Sequence, residues 1–216
     1  MDQAIFHFIN ERWTNQVFDL FMAAVSDVDI WKPFFIIIFL AALIFGGFRA
    51  RVCIICLLLS LFIAQQITTR LKTAIDRKRP KQVQTVRMVQ LAKAHPEFLA
   101  LFKKPIVRYS NQSDRTRGDP SFPSGHMTNN TVIAVCLTLF YRRRGALYWI
   151  ITATMAYSRM YLGAHWPTDV LGTVFLATGE TLLIIAAAEL IWRWAARKWA
   201  PEMFARHASL IVDPAR

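Results

Sequence analysis

Three short stretches of the chain hold the residue types that phosphoryl chemistry needs. The first runs Lys72-Thr-Ala-Ile-Asp-Arg-Lys-Arg79-Pro80, the second is Pro123-Ser124-Gly125-His126, and the third runs from Ser158-Arg159 through His165 to Asp169. Lys72, Arg79 and Arg159 are cations able to surround an anion. One such charge about 4 Å from a phosphate oxygen contributes about 4 kcal/mol at an effective dielectric near 20. Ser124 suits the N-cap of a helix, and Gly125 permits close backbone approach. Pro167 suits the first position of a second helix. Two helix N-termini facing one point offer N–H groups and positive dipole ends to an anion.

The histidines supply the rest. His165 and Asp169 are four residues apart, so one helical turn can bring the carboxylate to the imidazole Nδ1–H. That contact would fix the tautomer and leave Nε2 free to attack phosphorus. His126, at the other helix start, can protonate the leaving oxygen and then deprotonate the water that clears the phosphohistidine. No cluster of carboxylates on this side of the sequence could hold a metal. The expected reaction is therefore metal-independent and without cofactor, with three cations stabilising the transition-state charge that Mg²⁺ holds elsewhere.

The three stretches resemble the signature of the type 2 phosphatidic acid phosphatase superfamily, K-x6-RP, PSGH and S-R-x5-H-x3-D, at every signature position. The resemblance covers roughly residues 30 to 192, and the family also includes haloperoxidases with a similar vanadate site. It implies His165 as nucleophile, Asp169 as its orienting partner and His126 as general acid. Lys72, Arg79, Ser124, Gly125 and Arg159 are implied to bind phosphate. It further implies a membrane helical bundle whose site, in bacterial membrane members, faces the periplasm.

The elements that must position these residues are apolar runs separated by charge. Of 216 residues 55% are hydrophobic and 19% charged, yet the net charge is +12, with a mean hydropathy of +0.31. Soluble domains carry roughly 25% charged residues, so an ordinary soluble enzyme and a disordered chain are both disfavoured. Five segments are candidates to span a bilayer: Pro33 to Phe48, Val52 to Thr69, Ser124 to Tyr141, Ala146 to Leu162, and Thr168 to about Trp192. The first is short of the ~20 residues a span needs and must borrow flanking residues. The expected fold is all-α, a single polytopic bundle over 1–216.

Two regions lie outside these spans. Over 1–32, apolar residues recur at helical spacing but Asp2, Glu11, Arg12, Asp19 and Asp27 interrupt them. One or two amphipathic helices in the membrane interface are expected there, with a sixth span from Thr14 to Ser26 as the competing reading. The gap 71–122 is expected to be extramembrane, with a short amphipathic helix from about Thr85 to Phe102 and a loop from Tyr109 to Pro120.

Five spans place the N-terminus, the 71–122 gap and the turn at Gly163–Pro167 on one side, with Arg49, Arg51 and Arg142-Arg143-Arg144 on the other. Arginine-rich short loops face the cytoplasm. The 71–122 gap holds twelve Lys and Arg of its own, which the phosphate chemistry accounts for. The expected location is the bacterial inner membrane with the site in the periplasm. No cleavable signal peptide is read at Met1-Asp2-Gln3.

The basic residues flank lipid-length runs, so lipid phosphate and the bilayer are the expected partners and nucleic acid is not. Oligomeric state is left open. Cys53 and Cys56 have CxxC spacing but read as buried small hydrophobes, as does Cys136. Glu180 lies mid-span, where it could bond Gln65 or Gln66 as helix-packing glue or belong to a substrate path. Arg77, Lys78 and Lys81 could recruit headgroups or only coat the interface. Candidate substrates are undecaprenyl pyrophosphate, the 1-phosphate of lipid A, phosphatidylglycerophosphate and phosphatidic acid. A phosphotransferase with the same intermediate and a non-catalytic phospholipid-binding or transport protein are the alternatives.

Overall fold

Each apolar run forms a helix, in a computed structural model that describes residues 1–116 and 118–211. Two short α-helices, α1 (Asp2–His7) and α2 (Gln16–Ser26), joined through a π-helical turn over Phe8–Arg12, precede α3 (Val28–Phe45) and α4 (Phe48–Ile75). After the small helix α5 (Pro80–Val83) come strands β1 (Arg87–Gln90) and β2 (Ile106–Tyr109) and the helix α6 (Gln112–Thr116). The chain then returns through α7 (Gly125–Ala146), α8 (Tyr148–Tyr161), α9 (Pro167–Trp199) and α10 (Pro201–Arg206). Among the described residues three segments, Val28–Phe45, Phe48–Val83 and Pro167–Trp199, are long and apolar enough to cross a membrane.

The first apolar run borrows its missing length upstream. Asp27 accepts a hydrogen bond from the Asp29 N–H and starts α3 five residues before Pro33. The second run extends past Thr69, which puts Lys72 in the last turn of α4. There Asp76, at φ +45°, ends the helix in the left-handed region.

Helices α4, α7 and α9 pack on one another, and α8 packs on α7. Cys53, Cys56, Leu57, Ala64, Val132, Cys136, Phe140, Ala177 and Ile185 fill the space between them. The three cysteines are buried and unbridged, as small hydrophobes. A tight reversal joins α7 to α8. Arg142 takes φ +51°, and Gly145 comes so close to α7 that a Cβ would lie 1.8 Å from the Leu137 carbonyl oxygen. Only glycine fits there.

At the opposite end of this bundle a cap is built from both regions outside the apolar runs. The expected amphipathic helix over Thr85 to Phe102 does not form. Pro96 sits inside that stretch and disfavours helix in the residue before it. The chain instead makes β1 and β2, paired antiparallel from Arg87–Tyr109 to Gln90–Ile106, with a single 3₁₀ turn at Glu97–Phe102 between them. The bundle is helical, and this small sheet is the departure from all-α. Val86, just before β1, and Met88 within it bury against Phe6 and Trp166, and Val89 against Ile9, Met22 and Tyr161.

Asp19, which interrupts the apolar pattern of α2, is explained by the same cap. It accepts from Arg87 Nη2 at 2.6 Å and from the Tyr161 hydroxyl at 2.6 Å. Asn10, fully buried, donates to the carbonyls of Tyr161 and Arg87 at 2.7 and 2.9 Å and accepts from the Arg87 N–H. The N-terminal segment is thus tied to the bundle by buried polar bonds as well as by its apolar face.

Candidate active site

Four helix ends meet beneath the cap: the last turn of α4, the first turn of α7, the last turn of α8 and the approach to α9. They bring Lys72, Ser124-Gly125-His126, Arg159, and His165 with Asp169 together at one end of the bundle. Arg79 arrives from the start of α5, where its N–H donates to Gln82 Oε1 at 2.7 Å and its Nε donates to the Asp119 carbonyl at 2.7 Å. Arg159, Arg79 and Lys72 all act electrostatically on both His126 and His165. The turn after α8 needs Gly163, at φ +72°, because a Cβ there would lie 2.8 Å from the Arg87 carbonyl.

His165 is 2% exposed. Burial first, then the charges of Arg159 and Arg79, hold its imidazole well below the usual histidine range, opposed by the Ser121 carbonyl. The ring is therefore neutral at pH 7, with a lone pair available. His126 is less buried than His165, and the Ser26 carbonyl at the end of α2 acts on its ring. A cavity of about 430 Å³ opens beside Arg79 and Arg159, walled by Ser26, Asp27, Gln90 and the Leu162–Ala164 turn.

Two expected contacts are replaced by others. Asp169 Oδ2 lies 4.0 Å from His165 Nδ1, too far for a hydrogen bond. Instead Ser121 sits beside both: its hydroxyl donates to Asp169 Oδ2 at 2.5 Å and lies 3.5 Å from His165 Nδ1. Asp169 also accepts from the Trp166 N–H at 3.0 Å, which caps α9. The Ser124 hydroxyl, expected as an N-cap, makes no capping bond. Its Oγ is buried without a partner among the described residues, while the Ser124 N–H donates to Thr173 Oγ1 at 2.9 Å. Arg159 Nε is likewise buried and unpartnered. A Cβ at Gly125 would meet no atom within 4 Å, so packing does not require glycine there.

Sequence reasoning missed Ser121, Ser26 and the part played by Arg77. Ser121 and Ser26 carry no signal, being lone serines in loop-like or apolar context. Arg77 carried one: it falls inside the six-residue gap between Lys72 and Arg79. Its guanidinium neither coats the surface nor waits for a headgroup, since Nη1 donates to Asp169 Oδ1 at 2.5 Å and Nη2 to Asp2 Oδ2 at 2.7 Å. Glu180 is not bonded to Gln65 or Gln66. Both its carboxylate oxygens are buried without a hydrogen-bond partner among the described residues. Thr128 bonds Thr68, and Asn130 bonds the His126 carbonyl and Tyr148.

The profile of the PAP2 superfamily matches residues 53–199. Among curated proteins, YbjG of Escherichia coli (strain K12), which carries a provisional undecaprenyl-diphosphatase name, is 34% identical over 76 residues. That match spans 35% of this chain and 36% of YbjG. Lipid A 4'-phosphatase of Bacteroides thetaiotaomicron is 27% identical over 180 residues, 81% of this chain and 72% of that protein. Two crystal structures share the fold. LpxE of Aquifex aeolicus superposes with a TM-score of 0.61 at 19% identity, covering 86% of this chain and 94% of that one. The first transmembrane PAP2 type phosphatidylglycerolphosphate phosphatase from Bacillus subtilis gives 0.59 at 19% identity, covering 89% and 88%.

Proposed function

The chain belongs to the PAP2 superfamily, and from that premise we propose that it is an integral membrane lipid phosphatase acting through a phosphohistidine. The observation that carries the reading is a pair of orphaned groups, Ser124 Oγ and Arg159 Nε, buried without partners among the described residues, where Lys72, Arg79 and Arg159 act on both histidines. Buried polar atoms in folded proteins are mostly bonded, and among those unbonded here these two are the ones that lie within the signature stretches. A phosphoryl oxygen supplies what both lack. The bare Gly125 and the first-turn N–H groups of α7 suit the same ligand.

In this reading His165 Nε2, on the ring edge away from Ser121, attacks phosphorus as the bond to the leaving oxygen breaks. His126, charged once the anionic phosphate sits beside it, gives its proton to that oxygen. A water then attacks the phosphohistidine, passes its proton to His126, and inorganic phosphate leaves with His165 restored. Lys72, Arg79 and Arg159 stabilise the equatorial charge throughout. Asp169 does not touch His165 but, through Ser121, biases where the charge on the imidazolium is favoured.

The bundle reads as five crossings of the inner membrane, α3, α4, α7, α8 and α9, in a single domain over 1–216. The cap and site then face the periplasm, with the Arg142–Arg144 reversal in the cytoplasm. The tails of the substrate stay in lipid while its phosphate reaches the cap. The relatives' names point to undecaprenyl diphosphate, lipid A and phosphatidylglycerophosphate as the classes to try, beside phosphatidic acid. The test is phosphate release by the purified protein in liposomes from each of these four lipids, without acceptor lipid, with and without EDTA. Release from at least one, undiminished by EDTA, is expected. No release from any, or strict dependence on Mg²⁺, would overturn the reading.

A further inference from the structure

We propose that Arg77 is a positioning residue of the reaction, held in place by Asp2 of the first helix, so that α1 is part of the catalytic apparatus. The proposal rests on the phosphatase reading above and adds a residue that the three signature stretches leave unspecified.

Asp169 lies at the centre of this arrangement. Its carboxylate is fully buried and 4.0 Å from the imidazole it is expected to orient. Both oxygens are engaged by other groups. Oδ2 accepts from the Ser121 hydroxyl and the Trp166 N–H, at 2.5 and 3.0 Å, and Oδ1 accepts from Arg77 Nη1 at 2.5 Å. Arg77 therefore decides how the carboxylate is turned, and no other side chain is bonded to Oδ1 among the described residues.

Arg77 also sets Ser121. Its backbone carbonyl accepts from the Ser121 N–H at 2.6 Å, which places the Ser121 hydroxyl between Asp169 and His165 Nδ1. One residue thus fixes, by side chain and main chain, both groups on the Nδ1 side of His165. A flexible ammonium could not do the same, because a guanidinium offers two nitrogens in a rigid plane.

The second nitrogen is used. Arg77 Nη2 donates to Asp2 Oδ2 at 2.7 Å, and Nη1 donates also to Thr168 Oγ1 at 2.9 Å. Asp2 in turn accepts from the Thr168 N–H at 3.0 Å and its hydroxyl at 2.6 Å, at the start of α9. Asp2 can reach because Phe6, one turn on in α1, is fully buried with its ring 5.2 Å from that of Trp166. The carboxylate of Asp2 and that of Asp169 hold the guanidinium between them, so the docking of α1 and the setting of Asp169 are one arrangement.

The experiment compares Arg77→Ala, Arg77→Lys and Asp2→Asn with the wild-type protein on whichever lipid it hydrolyses, in the same liposomes. For Arg77→Ala, kcat falls by roughly 10- to 100-fold, the scale on which groups that orient a reacting residue act. KM and the inhibition constant for inorganic phosphate stay within about threefold, because Lys72, Arg79 and Arg159 are untouched. Arg77→Lys recovers part of kcat. Asp2→Asn lowers kcat less than Arg77→Ala does, and adds little when combined with it, as linked positions do.

Three results would overturn the proposal: kcat of Arg77→Ala within twofold of wild type, a loss shared equally by kcat and the phosphate inhibition constant, or effects of Arg77→Ala and Asp2→Asn that multiply. The second of these would make Arg77 a phosphate-binding cation instead. If Arg77→Ala does not fold, Asp2→Asn alone decides, by whether its kcat falls with phosphate inhibition unchanged. A wild-type protein that releases no phosphate would sink the phosphatase reading, whereas an active wild type with indifferent variants would sink only the role of Arg77.

Discussion

The two histidines of the site sit in opposite kinds of surroundings. Around His165 and Asp169 every polar atom on the Nδ1 side is spoken for, by Ser121, Trp166 and Arg77. Around the start of α7, beside His126, Ser124 Oγ has no partner among the described residues, and Arg159 Nε at the end of α8 has none among them either. One half is finished before any ligand arrives, and the other is completed only by one. That is the division expected when a nucleophile must be held in a single tautomer while an anion must be free to enter and leave.

The difference can be broken first at its finished half. His165→Ala is expected to lower phosphate release by at least about 10⁴-fold, since loss of a nucleophile leaves only binding and charge stabilisation. The open half should respond less and selectively. His126→Ala is expected to slow lipid hydrolysis by roughly 10²- to 10³-fold, the usual worth of a general acid. On an aryl phosphate, whose leaving oxygen needs no proton, the loss should be clearly smaller. Equal losses on both substrates would remove His126 from the acid role.

The smallest effect is in pH. Because burial and then Arg159 and Arg79 hold His165 well below its ordinary 6.5, the folded protein keeps the imidazole neutral as pH falls through that value. Protonation silences the nucleophile only further down. The acid limb of kcat/KM should therefore lie below pH 6.5, once the substrate's own ionisation near pH 6 is divided out. A limb at or above 6.5 would mean that the neighbouring cations do not reach the ring.

What the residues disclosed in advance, and what they did not, follows the same line. The apolar runs and the three charged stretches could be read because length and spacing alone decide them: a run near 20 residues becomes a helix, and its ends bring Lys72, Ser124, Arg159 and His165 to one level. The cap could not. Val86, Met88 and Val89 look equally apt for a helix face, and only Pro96 and a partner strand 16 residues beyond Gln90, at Ile106, decide for a hairpin. Ser121 was invisible for a related reason, since its place depends on a main-chain bond to Arg77. The four-residue spacing of His165 and Asp169 predicts adjacent helical turns, yet α9 starts only at Pro167, so His165 lies in the bend before it, and Asp169 bonds Ser121 and Arg77 instead.

Helix α3 stands apart from all of this. Of its residues only Ile30 is buried, and Phe34, Ile36, Ile37, Ile38, Leu40, Ile44 and Phe45 project outward. Phe39 turns inward against the bundle core, and Trp31 is tied to the Ala24 carbonyl. Along the outward face, length and oiliness are what a bilayer asks for, so one large apolar residue there can stand in for another.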